Sequence, residues 1–98
     1  MNYKPEPIDL DGVDLGNVSS DIEFISQNIH ETWAKQRELQ GWSFGPVYDL
    51  NGKKHPCIIP YDELPESEKD IDRATVTQTI KTLLWLGYKI EKDDTDEN

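Results

Sequence analysis

The chain has 98 residues, enough for one domain whose core must be small. Its 20 acidic and 10 basic residues give a net charge of −10, which argues against a general electrostatic affinity for nucleic acid or anionic membranes. Cys57 is the lone cysteine, so an intrachain disulfide and a cysteine-based zinc centre are both excluded, and no apolar run is long enough to cross a bilayer.

Hydrophobic residues make up 35% of the chain and the mean hydropathy is −0.76. The core must therefore come from a few large side chains, and three Trp, four Tyr and two Phe are the natural source. The opening "MNYKPEPIDLDG" carries no apolar signal segment, and a single cysteine suits a reducing compartment. The expectation is a soluble, cytoplasmic protein.

In chain order, residues 1–18 contain Pro5, Pro7, Gly12 and Gly16 and read as an extended segment packed on the domain, anchored by Val13, Leu15 and Val18. "SDIE" at 20–23 has the form of a capping box, in which Ser20 caps the Glu23 amide and Glu23 reaches back. The helix that follows is expected to run to about Gln40, with Gly41 as its left-handed stop. Ile22, Ile25, Ile29, Trp33 and Gln36 mark its buried stripe.

Residues 41–66 are rich in Gly and Pro, which no long helix survives. Asn51-Gly52 signals a turn between short runs able to pair as a hairpin, and Pro56 and Pro60 keep any strand there short. A second helix is expected to start between Pro65 and Asp72, supported by Glu66, Glu68 and Asp70 at its N-terminus. Val76, Ile80, Leu83 and Leu84 form its apolar face and Gly87 stops it. "YKI" at 88–90 has the makings of a short strand, and "EKDDTDEN" at 91–98 those of a disordered acidic tail. The fold class is mainly α: two principal helices, a Pro/Gly-rich connecting segment and short hairpin or strand pieces.

On the first helix Ser26, His30, Trp33 and Arg37 lie 4, 3 and 4 residues apart, in one line beside the apolar stripe. Such a row suits a pocket wall. It suits equally a helix–loop junction in which Trp33 is core, His30 bonds a loop carbonyl and Arg37 pairs with Asp62, Glu63 or Glu68. Trp42, Phe44 and Tyr48 form either a lid over the helix end or an aromatic face for a planar ring or a cation. Lys69 and Arg73, four apart near the second helix N-terminus, are placed to reach an anion.

Cys57 sits in the apolar run "CII", which favours an inert thiol over a nucleophile paired with His55 or His30. "DLDGVD" at 9–14 lacks the glycine position and closing glutamate of an EF-hand loop. Two histidines without a ligand spacing do not make a zinc motif, and no phosphate- or dinucleotide-binding glycine loop is present. No cofactor and no metal are expected, and the chain is not read as an enzyme.

Taken together, several motifs resemble the ryanodine receptor repeat, or RyR domain, over residues 3–90. They are "YKPEPID", "NIHETWAKQRELQGWSFGP" and "HPCIIPYDELPESEKDIDRATVTQTIKTLLWLGYKI". The specific marks are Asn28, His30, Trp33 and Arg37 on one helix, then Gly41-Trp42, His55-Pro56, Pro60-Tyr61, Glu68-Lys69, Asp72-Arg73 and Leu86-Gly87-Tyr88. The resemblance implies two helices with short strands. In the calcium release channels such repeats occur as tandem pairs on the cytoplasmic side, and single copies occur in bacterial and phage proteins.

The 98 residues hold one copy and no pore segment, so the chain is not expected to be an ion channel by itself. The resemblance implies two roles. One is a module that docks on a partner protein or forms a homodimer. The other is a pocket for a small anionic or nucleotide-like ligand, for which the matching residues are His30, Trp33, Arg37, Trp42, Tyr61, Lys69 and Arg73.

Overall fold

The computed structural model describes residues 2–93. Two helices, α1 (Ile22–Leu39) and α2 (Glu66–Trp85), pack against each other. Between them run two short strands, β1 (Ser43–Phe44) and β2 (Lys54–His55), and a single 3-10 turn at Tyr61–Glu63. The architecture is mainly helical, as the sequence implies.

Both helices stop for the same reason. Gly41 (φ 93°) and Gly87 (φ 106°) take the left-handed conformation that glycine alone adopts cheaply. After α1, the Gly41 amide donates to Glu38 O and the Trp42 amide reaches back to Arg37 O at 2.9 Å. After α2, the Gly87 amide donates to Leu84 O and the Tyr88 amide to Leu83 O. This paired closure satisfies the last carbonyls and turns the chain sharply. At the start of α2, the Pro65 carbonyl accepts from the Glu68 and Lys69 amides, and Glu66 and Glu68 favour the positive helix end.

The capping box does not form. A 3-10 turn, Gly16–Asp21, leads straight into α1, so the chain is already helical where the cap was expected. Ser20 Oγ donates instead to Asn17 O, and Glu23 is drawn away to α2. The same turn ends the extended N-terminal segment at residue 15. That segment is anchored by Leu10, which is 3% exposed, and by a bond from Gln78 Nε2 to Ile8 O, while Val13, Leu15 and Val18 are only half-buried.

The expected hairpin contracts to one rung. Asp49 and Lys54 exchange both backbone bonds across a turn in which Asp49 Oδ1 accepts from the Gly52 amide. β2 then pairs with β1 in parallel, Ser43 opposite Lys54 and Phe44 opposite His55. Residues 88–90 form no strand; the Tyr88 amide is used in closing the Gly87 turn. Of the expected acidic tail, 94–98 lie outside the described residues, and 91–93 have no regular structure.

The buried apolar core is Leu10, Tyr61, Leu64 and Val76, joined by two polar residues of α1, Ser26 and His30. The buried line of α1 is therefore the polar row. The expected stripe is displaced around the helix, leaving Ile29 39% exposed and Gln36 in solvent. Ser26 is fully buried because its hydroxyl donates to Ile22 O at 2.8 Å, so burial strands no polar atom.

Candidate functional site

His30 organises the middle of the molecule. Its ring is 4% exposed, and Nε2 lies 2.7 Å from Ile59 O. A carbonyl only accepts, so Nε2 carries the proton and donates. The bond ties α1 to the loop before Tyr61. The ring stacks on Trp33 at 5.7 Å (27°) and tilts against Tyr61 at 6.1 Å. His30 thus bonds a loop carbonyl, which is the junction role the sequence allows it.

Trp33 and Trp42 come together because of the turn at Gly41. The Trp42 amide bond to Arg37 O folds the chain back on the last turn of α1. Arg37 then lies between the two indoles, its Cζ 6.0 Å from the Trp33 ring centre and 5.9 Å from that of Trp42. Its Nη1 donates to Gln40 Oε1 at 3.0 Å. Asp62, Glu63 and Glu68 do not pair with it. Lys53 Nζ donates to Gln40 O, a cation on the C-terminal carbonyls of α1, and Lys54 Nζ donates to Ser43 Oγ. Among the described residues, none of Arg37, Lys53 and Lys54 has a carboxylate within salt-bridge distance. In a chain of net charge −10, this end of α1 is a cationic island.

His55 completes the aromatic group. Its ring meets Trp33 edge-on at 4.9 Å and Tyr48 at 5.5 Å, and Tyr48 tilts against Trp42 at 5.7 Å. Nδ1 of His55 accepts from the Cys57 amide, which fixes the ring. Trp33, Arg37, Trp42, Tyr48 and His55 line an open pocket of about 180 Å³. A cavity near ~150 Å³ accepts one benzene ring, so this pocket matches a single planar ring. Phe44 is 51% exposed and takes no part in these ring contacts.

Tyr61, Lys69 and Arg73 belong to a second group, on the other side of His30. Arg73 donates to both Glu23 carboxylate oxygens (2.8 and 2.9 Å), to Glu66 and to Asp70. These bonds hold the Glu23 carboxyl well below its ordinary range, at about 2, with a further bond from the Tyr61 hydroxyl. Burial, then the bond to Glu23, pushes the Tyr61 phenol up. Lys69 Nζ lies 5.5 Å over the Tyr61 ring and 3.7 Å from Glu66. This group clamps α1 to α2. Its two cations already face carboxylates, so of the three expected anion-binding cations only Arg37 is without an acid.

Tyr48 lies beside Trp42, as the aromatic face read from the sequence has it, whereas nothing in the spacing of His55 joins it to Trp33. Lys53 and Lys54 carried no site signal, because their nearness to Arg37 depends on the parallel β1–β2 pairing. Cys57 is half-buried; burial, then the nearby charges of Glu68 and Asp72, raise its thiol. A thiol raised in this way is a poor nucleophile at neutral pH.

Fold and site define a small two-helix module with an aromatic and cationic pocket at the C-terminal end of its first helix. The family model of the RyR domain matches residues 3–92, and the chain belongs to that family. No helix among the described residues is long and apolar enough to cross a membrane.

Proposed function

We propose that the chain is a non-enzymatic, cytoplasmic ligand-sensing module whose pocket takes a nucleotide-like anion. The observation that carries this reading is Arg37, held about 6 Å from two indole rings with no acid partner among the described residues. Stacking of a base on an aromatic side chain contributes ~1–3 kcal/mol. Guanidinium donors not used on Gln40 are suited to a phosphate or carboxylate. The raised Cys57 thiol supports the absence of nucleophilic chemistry.

A thermal-shift panel of purine and pyrimidine nucleotides tests the reading. At ten times Kd, a ligand adds about 1.4 kcal/mol. For a domain of this size that raises Tm by roughly 6–11 °C. Arg37→Ala is expected to abolish the rise. No rise with any nucleotide at millimolar concentration would exclude the pocket.

A second reading, a docking or homodimerisation module, draws on the end of α2. Trp85, Leu86, Tyr88 and Ile90 are 56%, 60%, 63% and 43% exposed, a run of apolar surface that favours association with a second copy. Sedimentation at micromolar concentration separates the readings: a clean monomer excludes the homodimer.

A further inference from the structure

β1 leaves one edge of the small sheet open. The Ser43 and Gly45 amides donate to Lys53 O and His55 O, so their backbone groups face β2. Alternate residues along a strand turn their backbone groups to opposite sides. The Phe44 amide and carbonyl therefore point away from β2, and among the described residues nothing pairs with them. The far edge of β2 is already taken, because Lys54 and Asp49 exchange both backbone bonds. The open side is thus β1, and both of its residues are exposed.

The second observation is the charge beside that edge. Asp49 is the only acid between Leu39 and Pro60, in a chain that has 20. Its Oδ1 is held by the Gly52 amide. Lys54 stands opposite Ser43 and its Nζ donates to Ser43 Oγ at 2.8 Å, while Lys53 Nζ sits on Gln40 O, just ahead of the strand. Both acceptors are neutral, so both positive charges stay uncompensated. Successive side chains of a strand point to opposite faces. The Ser43 face therefore carries Lys54, and the Phe44 face carries a ring that is 51% exposed. One face of the edge is cationic and the other is apolar.

We propose that the free edge of β1 receives an extended acidic segment of a partner protein as an added strand. The segment's backbone pairs with the Phe44 amide and carbonyl. Its acids lie on the Ser43 face, against Lys54 and Lys53, and its alternate apolar side chains lie against Phe44. Charge complementarity selects this occupant. Lysines beside an edge repel basic strands and admit acidic ones. A short segment meets the local field of the two lysines, whereas a nucleic acid or an anionic bilayer also meets the net charge of −10. The surface adjoins the anion pocket but does not use Arg37.

The test is amide NMR of the full chain titrated with the peptide acetyl-Glu-Val-Glu-Val-Glu-amide, with the Gln-Val-Gln-Val-Gln analogue as the uncharged control. Saturable shifts at Phe44, Lys53 and Lys54 are expected with the acidic peptide alone. Hydrogen exchange of the Phe44 amide is expected to slow about tenfold at nine-tenths saturation. Lys53→Gln/Lys54→Gln is expected to bind about fivefold more weakly, as suits two exposed ion pairs. The acidic peptide N-methylated at every internal amide is expected not to bind, a result that needs no variant to fold. No saturable shift at millimolar peptide, an equal response to the glutamine peptide, or binding of the N-methylated peptide overturns the proposal. Phe44 shifts that follow protein concentration alone assign the edge to a second copy and overturn it too, as does a response to phosphatidylserine vesicles with none to the peptide. Arg37→Ala is expected to lose the nucleotide response and keep that to the peptide, so the two readings fail separately.

Discussion

Replacing His30 by alanine tests how the middle of the molecule is held. The substitution removes the donor to Ile59 O, leaving a carbonyl short of its partner at a cost of ~1–3 kcal/mol. It also removes two ring contacts, to Trp33 and Tyr61, worth ~0.5–1.5 kcal/mol each. The total is about 4 kcal/mol, a large part of the ~5–15 kcal/mol that stabilises a typical domain. Thermal unfolding followed by circular dichroism is expected to show Tm lower by roughly 16–32 °C. His30→Gln keeps an amide donor near the Nε2 position and is expected to regain about 1 kcal/mol of this. The difference between the two variants reads the hydrogen bond, and what remains reads the ring packing. If His30→Ala lowers Tm by less than about 4 °C, the loss is under ~1 kcal/mol and His30 is not the pin described here.

The Glu23–Arg73 clamp makes stability depend on acid. Glu23 has its folded value lowered to about 2 from an ordinary 4.5, so its contribution is complete above pH 4.5 and is lost as pH falls towards 2. Tm measured across that window is expected to fall less steeply in Glu23→Gln than in the parent; identical slopes would contradict the clamp. Cys57, raised by burial and then by Glu68 and Asp72, is expected to alkylate more slowly in the folded chain than in urea. Equal rates would show an accessible, reactive thiol. Gly87→Ala adds a methyl that meets nothing within 4 Å, so its cost is that of the left-handed backbone alone, about 1 kcal/mol or roughly 4–8 °C in Tm. An unchanged Tm would mean that α2 does not end in this turn.

The two helices were legible because their boundaries are local. Gly41, Pro65 and Gly87 act through their own backbone, and the structure ends or starts each helix beside them. The row Ser26–His30–Trp33–Arg37 was legible from helical spacing, although its burial was not. Hydrophobicity pointed to Ile25 and Ile29, but what faces α2 and the loop is decided by partners that satisfy Ser26 and His30. The capping box misled because Arg73, 50 residues away, competes for Glu23 with charge-assisted bonds. Arg73 was read as an anion site for the same reason: its three carboxylate partners come from both helices. The parallel β1–β2 pair is only two residues long, too short for any periodic signal, yet it brings His55 and Lys54 to the end of α1. Within the candidate site, then, the α1 residues and the Trp42–Tyr48 aromatic face were readable in the sequence, while His55 and the lysines arrived through loop geometry.

The central claim is that the Trp33–Arg37–Trp42 pocket receives a planar anionic ligand. The three indole N–H resonances of the protein provide the most direct test, since Trp85, 56% exposed at the end of α2, is an internal control. In a nucleotide titration followed by NMR, the account predicts saturable shifts of the Trp33 and Trp42 indoles with a static Trp85, all lost in Arg37→Ala. Three unmoving indoles at millimolar nucleotide, or a shift confined to Trp85, would contradict it.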